Sequence, residues 1–348
     1  MSFQVNSLRC GVIGLGRVGR MHIKNMLNIP NLDIVAVSDI FIKDIHDGLE
    51  TIDEQSCYED YRDLLARTDL DAVFIFTSTN THEEVIINAA EAGKHIFCEK
   101  PLSMSLNEEN SLRVLRKVKE KQVKLQIAFN RRFDPQFHEV YRLVRAGKIG
   151  QPQMVKITSR DPDLLPHDLI KKIGGLIFDF TMHDFDMARF IMGDNISEVF
   201  VKGTTLIDPT LQDIGDIDTL AIVLTFENGG YALIDNSRRA VYGYDQRLEA
   251  FGSAGMVCAD NVTHSSVKYF NHASCLTKNP LPTFTSRYRE AYLAEINSFI
   301  HAVLHDEPVL CTGEDAFIAQ RVAIAAQKSL ESGYPVKVQN DILLDTVN

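Results

Sequence analysis

LRCGVIGLGRVGRMHIKNMLNI, residues 8–29, carries the strongest fold signal in the chain. A short apolar run (Cys10, Val12, Ile13) meets a turn with glycine at positions 14, 16 and 19, and Val18, Met21, Met26 and Ile29 follow at spacing close to one helical face. Strand, G-x-G-x-x-G turn and helix in immediate succession form the dinucleotide-binding fingerprint. Each glycine has its own reason: Gly14 makes the tight turn, Gly16 lets backbone approach a pyrophosphate, and Gly19 lets the helix lie close to the strand. The helix start offers its free N–H groups and positive dipole end to phosphates.

A second apolar run, residues 32–38, ends in Asp39, twenty positions after Gly19. A carboxylate there accepts both ribose hydroxyls of NAD and repels a 2′-phosphate. No arginine follows directly to hold that phosphate, although Lys43 leaves an opening for NADP. Further on, the spacing predicts a helix over 58–67, with Tyr61, Leu64 and Leu65 inward, and strands over 71–77, 95–98 and 123–129. Two helices between those strands are expected to start at capping boxes, Thr81 with Glu84 and Ser105 with Glu108. This alternation predicts an α/β fold with a parallel, doubly wound sheet over residues 1–128. Ligands of such sheets sit beyond the carboxyl ends of the strands. That places residues 14–19, Asp39, 77–80, Glu99 with Lys100, and 130–132 along one crevice.

Beyond residue 130 the rhythm changes. A helix over 135–146 and a strand over 154–159 precede strand-like runs at 198–206, 218–226, 230–239 and 246–252. Asn228-Gly229 between two of these is a hairpin signal. Helices return at 288–304 and 315–332. This pattern predicts a second, α+β domain over 129–348 with a large, mainly antiparallel open sheet.

The 348 residues carry a net charge of −11, which argues against nucleic acid as a partner because phosphate binding needs a basic surface. Six cysteines are scattered without a C-x-x-C or a tight Cys/His cluster, which points to reduced thiols and no metal site. The N-terminus lacks a basic start followed by an apolar core. No apolar run reaches the ~20 residues that span a membrane. These features point to the cytoplasm.

Two further stretches bear chemistry. In GGLIFDFTMHDFD, residues 174–186, helical spacing would put Asp179, His183 and Asp186 on one face. A histidine flanked by carboxylates suits a general base, its tautomer fixed and its basicity raised. Lys100 closes a buried strand before a proline, where its ammonium could stabilise an alkoxide as hydride leaves.

With these residues in view, the chain resembles the glucose–fructose oxidoreductase/inositol dehydrogenase (Gfo/Idh/MocA) family. The resemblance rests on GLGRVGR at 14–20, AGKHIFCEKPLS at 92–103 and G-G-x-x-x-D-x-x-x-H-D-x-D at 174–186, and runs from about residue 9 to 338. NRRFDP at 130–135, YGYD at 242–245 and RYREAY at 287–292 are most similar to inositol 2-dehydrogenases within it. The resemblance implies Lys100, Asp179 and His183 as the catalytic set, and Arg131, Asp161, Tyr244 and Tyr292 as polyol contacts. Asp161 falls where inositol enzymes often carry asparagine, so the isomer and even the substrate stay open. NAD would lie with its pyrophosphate over residues 14–19, including Arg17 and Val18, and its adenosine ribose on Asp39. Its nicotinamide would sit by Thr77, Ser78, Asn80 and Lys100, with His82 and Glu99 also among the cofactor contacts.

The implied reaction is NAD-dependent oxidation of a ring hydroxyl of myo- or scyllo-inositol to the 2-keto product, with His183 as general base and no metal. Another sugar or polyol, or NADP, keeps the same mechanism. A regulator that binds nucleotide without turnover would have lost part of the Lys–Asp–His set, and all three are present. The resemblance also implies a homo-oligomer, a tetramer, touching through the open sheet.

Overall fold

In the computed structural model, which describes residues 7–45, 52–342 and 344, the glycine-rich turn joins β1 (Leu8–Ile13) to α1 (Arg17–Met26). The first residues, the polar stretch at 46–51 and most of the tail after 342 lie outside the described residues. β2 (Leu32–Ser38), β3 (Cys57–Tyr58), β4 (Ala72–Ile75), β5 (His95–Glu99) and β6 (Leu125–Ala128) complete a parallel sheet in the order β3-β2-β1-β4-β5-β6. Its central strands are apolar because both faces are covered, and every residue of β4 is buried. The strand order reverses between β1 and β4, where the glycine turn sits.

Helices α2 (Tyr61–Leu65), α3 (His82–Glu91) and α4 (Glu108–Lys121) connect these strands. Three local expectations are corrected. The buried stripe of α1 is Gly19, His22, Ile23 and Met26, so a histidine occupies the inner face and Val18 and Met21 lie on its flank. Thr81 makes no cap, because its hydroxyl bonds Thr77 Oγ1 and Ser78 O, both at 2.8 Å, and Glu84 accepts from the Tyr61 hydroxyl. Asn107, not Ser105, caps α4, its side chain accepting from Glu109 N at 3.1 Å.

The chain divides into two compact units. One is formed by the described residues through Asn130 with Tyr292–Phe317, the other by Arg131–Ala291 with Ile318–Asp341. In the first, Ile296, Phe299 and Ile300 of helix Arg289–Leu304 join the core under the parallel sheet. The Phe299 ring meets those of Phe74 and Phe97 at 5.4 and 5.8 Å, in the edge geometry aromatic quadrupoles favour.

The second unit opens with α5 (Pro135–Arg145), β7 (Pro152–Arg160) and α6 (His167–Ile173). A π-helical turn, Leu176–Thr181, then leads into α7 (Met182–Met192). β8 (Ile196–Thr204), β9 (Thr219–Phe226), β10 (Tyr231–Ser237), β11 (Asp245–Gly252) and β12 (Gly255–Ala259) follow. A small hairpin, β13 (Tyr269–Phe270) with β14 (Cys275–Leu276), stands apart from the main sheet, and β15 (Val336–Lys337) joins that sheet's edge. The seven strands run β12-β11-β7-β10-β9-β8-β15, and β7 with β10 is the one parallel pair. The β9–β10 hairpin turns at Asn228-Gly229 as the sequence predicts, with Gly229 at φ +84°. Burial alternates along β9 and β10, so one face of the sheet packs inward and the other is exposed.

Candidate functional site

In the first unit the three glycines of the turn differ in what the fold asks of them. Gly14 is left-handed at φ +96°, and a Cβ there would strike the backbone of Phe76 and Thr77 at 2.6 Å. A Cβ on Gly19 would collide with the Gly14 carbonyl oxygen. Gly16 is different: its φ of −64° suits any residue, and an added Cβ would meet no protein atom within 4 Å. The fold therefore needs the first and third glycines for itself and leaves the space above the second open. The N-terminus of α1 has neither a side-chain cap hydrogen bond nor an acidic residue in its first turn, the electrostatic setting that favours an anion. Asp39 accepts from Leu15 N at 2.6 Å and from Phe41 N at 2.9 Å, tying the end of β2 to this turn. Each carboxylate oxygen keeps a further lone pair for a hydroxyl. Arg17, Ser78 and Asn80 are exposed along the same strand ends, while Val18 and Thr77 are half-buried.

The Glu99-Lys100-Pro101 turn follows β5, and the Lys100–Pro101 peptide is cis. Glu99 accepts from Lys100 N at 3.2 Å and contacts His22 Nε2 at 3.0 Å. The His22 ring stacks on Phe76 at 4.3 Å and meets the edge of Tyr292 at 5.3 Å. His82 is buried, with Nδ1 2.8 Å from Pro101 O and Nε2 3.2 Å from Thr77 O. Its ring thus lies between the turn after β4 and the turn bearing Lys100, donating in its neutral form to one of the two carbonyls. Burial pushes the His82 pKa down, against the pull of those two carbonyls. Glu295 is fully buried in the same unit, and neither of its carboxyl oxygens has a hydrogen-bond partner among the described residues. Burial, and then the charge of Glu99, raise its pKa well above the usual carboxylate range.

In the second unit the local chain path explains Asp179 and His183. Gly175, at φ +74°, leaves room for the Asp216 carboxylate, whose Oδ1 accepts from Leu176 N at 3.0 Å. The wide turn that begins there carries Asp179, and α7 carries His183, both half-buried. The α-helical spacing used to put these groups on one face therefore does not apply before Met182. Asp186 is buried and taken by Arg132, through Nε at 2.9 Å and Nη2 at 2.6 Å.

Arg131 is inside the unit. It pairs with Asp184, donates to Ser159 Oγ at 2.8 Å, and lies 5.7 Å from the Phe180 ring centroid. Its Nη2 is buried with no hydrogen-bond partner among the described residues. Burial raises the Asp184 pKa, with Arg131, Ser159 and Asn236 opposing. Tyr244 is buried edge-on to Tyr288 at 6.0 Å, and burial drives its phenol well above its ordinary pKa. Asp161 meets Arg238 at 3.1 Å, and burial, only partly offset by that guanidinium, lifts its pKa to about 6.

Residues 8–129 match the model of an oxidoreductase family with an NAD-binding Rossmann fold, and residues 137–258 match the GFO/IDH/MocA C-terminal domain. The chain belongs to the GFO/IDH/MocA oxidoreductase family. An uncharacterized oxidoreductase of Bacillus subtilis is 46% identical, over 95% of this chain and 96% of its own. A myo-inositol 2-dehydrogenase of Thermotoga maritima is 43% identical, covering 96% of this chain and 100% of the relative. A scyllo-inositol dehydrogenase of Lactobacillus casei, solved with bound NAD(H) and scyllo-inositol, superposes with a TM-score of 0.86 at 28% identity. That match covers 95% of this chain and 99% of the other.

Several residues of this GFO/IDH/MocA member escaped the sequence reading. Arg238 reaches its place through strand register, and His22 and Glu295 through the packing of their helices. A signal for Arg238 did exist: it stands just past the end of a strand, as Asp39 and Lys100 do.

Proposed function

We propose that this protein is an NAD-dependent inositol 2-dehydrogenase, oxidising one ring hydroxyl of myo- or scyllo-inositol to the ketone. The observation that carries the cofactor half is Gly16, where open space above an uncapped helix start has no use in the fold itself. Gly14, Gly16, Gly19 and the α1 N–H groups would hold the pyrophosphate, and Asp39 the adenosine ribose. NAD, when bound, supplies the hydride acceptor.

The chain's own residues handle the proton and the charge. His183 takes the hydroxyl proton as the carbinol carbon loses hydride, and Asp179 orients that hydroxyl or the imidazole. The Lys100 ammonium stabilises the negative charge growing on the oxygen. The products are the ketone, the reduced nicotinamide and one proton, held first on His183. Arg131, Asp161 and Tyr244 would meet the remaining hydroxyls, with Tyr292 at the margin. The buried, unpartnered Nη2 of Arg131 supports a polar ligand on this side. His82 would act by holding the Thr77 and Pro101 turns in shape.

The oligomer we favour is a tetramer in contact through the exposed face of the seven-stranded sheet. Val223 pairs with Leu233 across β9 and β10, and Phe251 with Met256 across β11 and β12, and all four side chains are exposed. An apolar face of this kind marks an interaction surface.

Cofactor reduction across inositols, hexoses and pentoses tests the reading. We expect turnover with at least one inositol and a higher kcat/KM with NAD than with NADP. Turnover confined to a hexose or a pentose would reassign the substrate, and a preference for NADP would contradict the role given to Asp39.

A further inference from the structure

β7 and β10 lie parallel with Arg160 opposite Ser237, so the residues just past them, Asp161 and Arg238, leave the sheet side by side. Their backbones stay joined, Asp161 N donating to Ser237 O at 2.9 Å and Ala240 N to Asp161 O at 2.6 Å. The Arg238 side chain is 1% exposed, and its Nη1 lies 3.1 Å from Asp161 Oδ2 and 3.5 Å from Asp179 Oδ2. A single buried nitrogen therefore serves two carboxylates from separate elements. The carboxylates keep 17% and 22% of their side-chain surface exposed, while the guanidinium behind them keeps almost none. Its plane is steadied by the Phe180 ring, 5.7 Å away.

We propose that Arg238 is the positioning residue of the acidic side of the site, holding Asp161 and Asp179 together as a paired acceptor for two neighbouring hydroxyls of one polyol. The inference rests on the reaction proposed above and adds the substrate feature that is read, a vicinal diol. Two carboxylates this close repel each other, and one partly neutralised by a shared cation is the arrangement a buried site tolerates. The groups facing Asp161 are Arg238, Asp179, Arg131 and Tyr244; burial lifts its pKa to about 6, with Arg238 and Arg131 opposing that rise and Asp179 adding to it. Above that pH Asp161 is ionised and accepts through both oxygens. Below it Asp161 gains a proton, and the pair loses an acceptor.

Steady-state kinetics of Arg238→Met, Arg238→Lys, Asp161→Asn and the Arg238→Met/Asp161→Asn double variant test this, with NAD affinity measured alongside. The expected loss in kcat/KM for Arg238→Met is about 30-fold or more, with partial rescue by Arg238→Lys. NAD affinity should stay within about twofold of wild type, because the cofactor is held by the other unit. The double variant should exceed Arg238→Met, since removing the Asp161 charge relieves the repulsion that the arginine no longer offsets. Asp161→Asn, the mildest change, should flatten the acidic limb of the kcat/KM profile near pH 6. It should also narrow the preference for inositol over a deoxyinositol lacking one hydroxyl of the diol. Equal kcat/KM in Arg238→Met and wild type would overturn the proposal, as would multiplying losses in the double variant or an unchanged limb in Asp161→Asn. If the wild-type protein reduces NAD with no inositol, the reaction itself is misassigned. If it turns over normally and the variants match it, only the role of Arg238 falls.

Discussion

Gly16 and Gly19 are three residues apart and serve different masters. Gly19→Ala drives a Cβ into the Gly14 carbonyl oxygen, so we expect it to destabilise the protein by about 1–3 kcal/mol. Gly16→Ala places its Cβ in open space at an ordinary φ, so thermal stability should move by no more than about 0.5 kcal/mol. NAD affinity should nevertheless fall by about tenfold or more, because the backbone is held away from the pyrophosphate. Melting and NAD titration of the two variants separate these effects. Glu295 gives a pH prediction at the same scale. Its folded pKa is raised, so its contribution to stability is fully present below the ordinary value of 4.5 and is lost as pH rises through the folded value. Glu295→Gln should remove that loss, and its advantage in melting temperature over wild type should widen from about pH 5 to pH 8. A pH-independent difference would show that the carboxyl is ionised in the fold.

At the scale of elements, the parts that were legible in the sequence are those set by local chemistry. Apolar runs such as 72–75 read as buried strands, and the glycine turn and the Asn228-Gly229 hairpin carry their own backbone demands. What was not legible depends on partners far along the chain. The shared use of Arg238 follows from the parallel register of β7 and β10, which the sequence leaves open, and the place of Phe299 beside Phe74 and Phe97 depends on packing alone. The turn after β8 is a third case. There Asp218 accepts from Leu206 N, Ile207 N and Asp208 N at 2.8, 2.9 and 2.9 Å. Burial opposes ionisation of Asp218, but these N–H bonds prevail and its pKa is lowered. Its contribution is therefore present above the ordinary 3.8 and lost as pH falls through the lower folded value. Asp218→Asn should cost about 1.5–3 kcal/mol in denaturant unfolding at neutral pH, and a cost near zero would mean water serves those N–H groups equally well.

For the molecule as a whole, the residues of the proposed reaction fall in both units. The first contains the α1 start, Asp39 and Lys100, and the second contains Asp179, His183 and the buried Arg131 and Arg238. Among the described residues no group of three or more histidine, cysteine, aspartate or glutamate side chains could hold a metal ion, and no helix is long and apolar enough to cross a membrane. The proposed reaction rests on an ammonium and an imidazole acting on the same hydroxyl. The most direct test is kcat with NAD and inositol for Lys100→Met, His183→Asn and the double variant, with NAD affinity measured for each. The account predicts that each single change lowers kcat by about 10²–10⁴-fold at unchanged NAD affinity, and that the double variant falls little below the worse single one. Singles that keep wild-type turnover, or losses that multiply in the double variant, would contradict it.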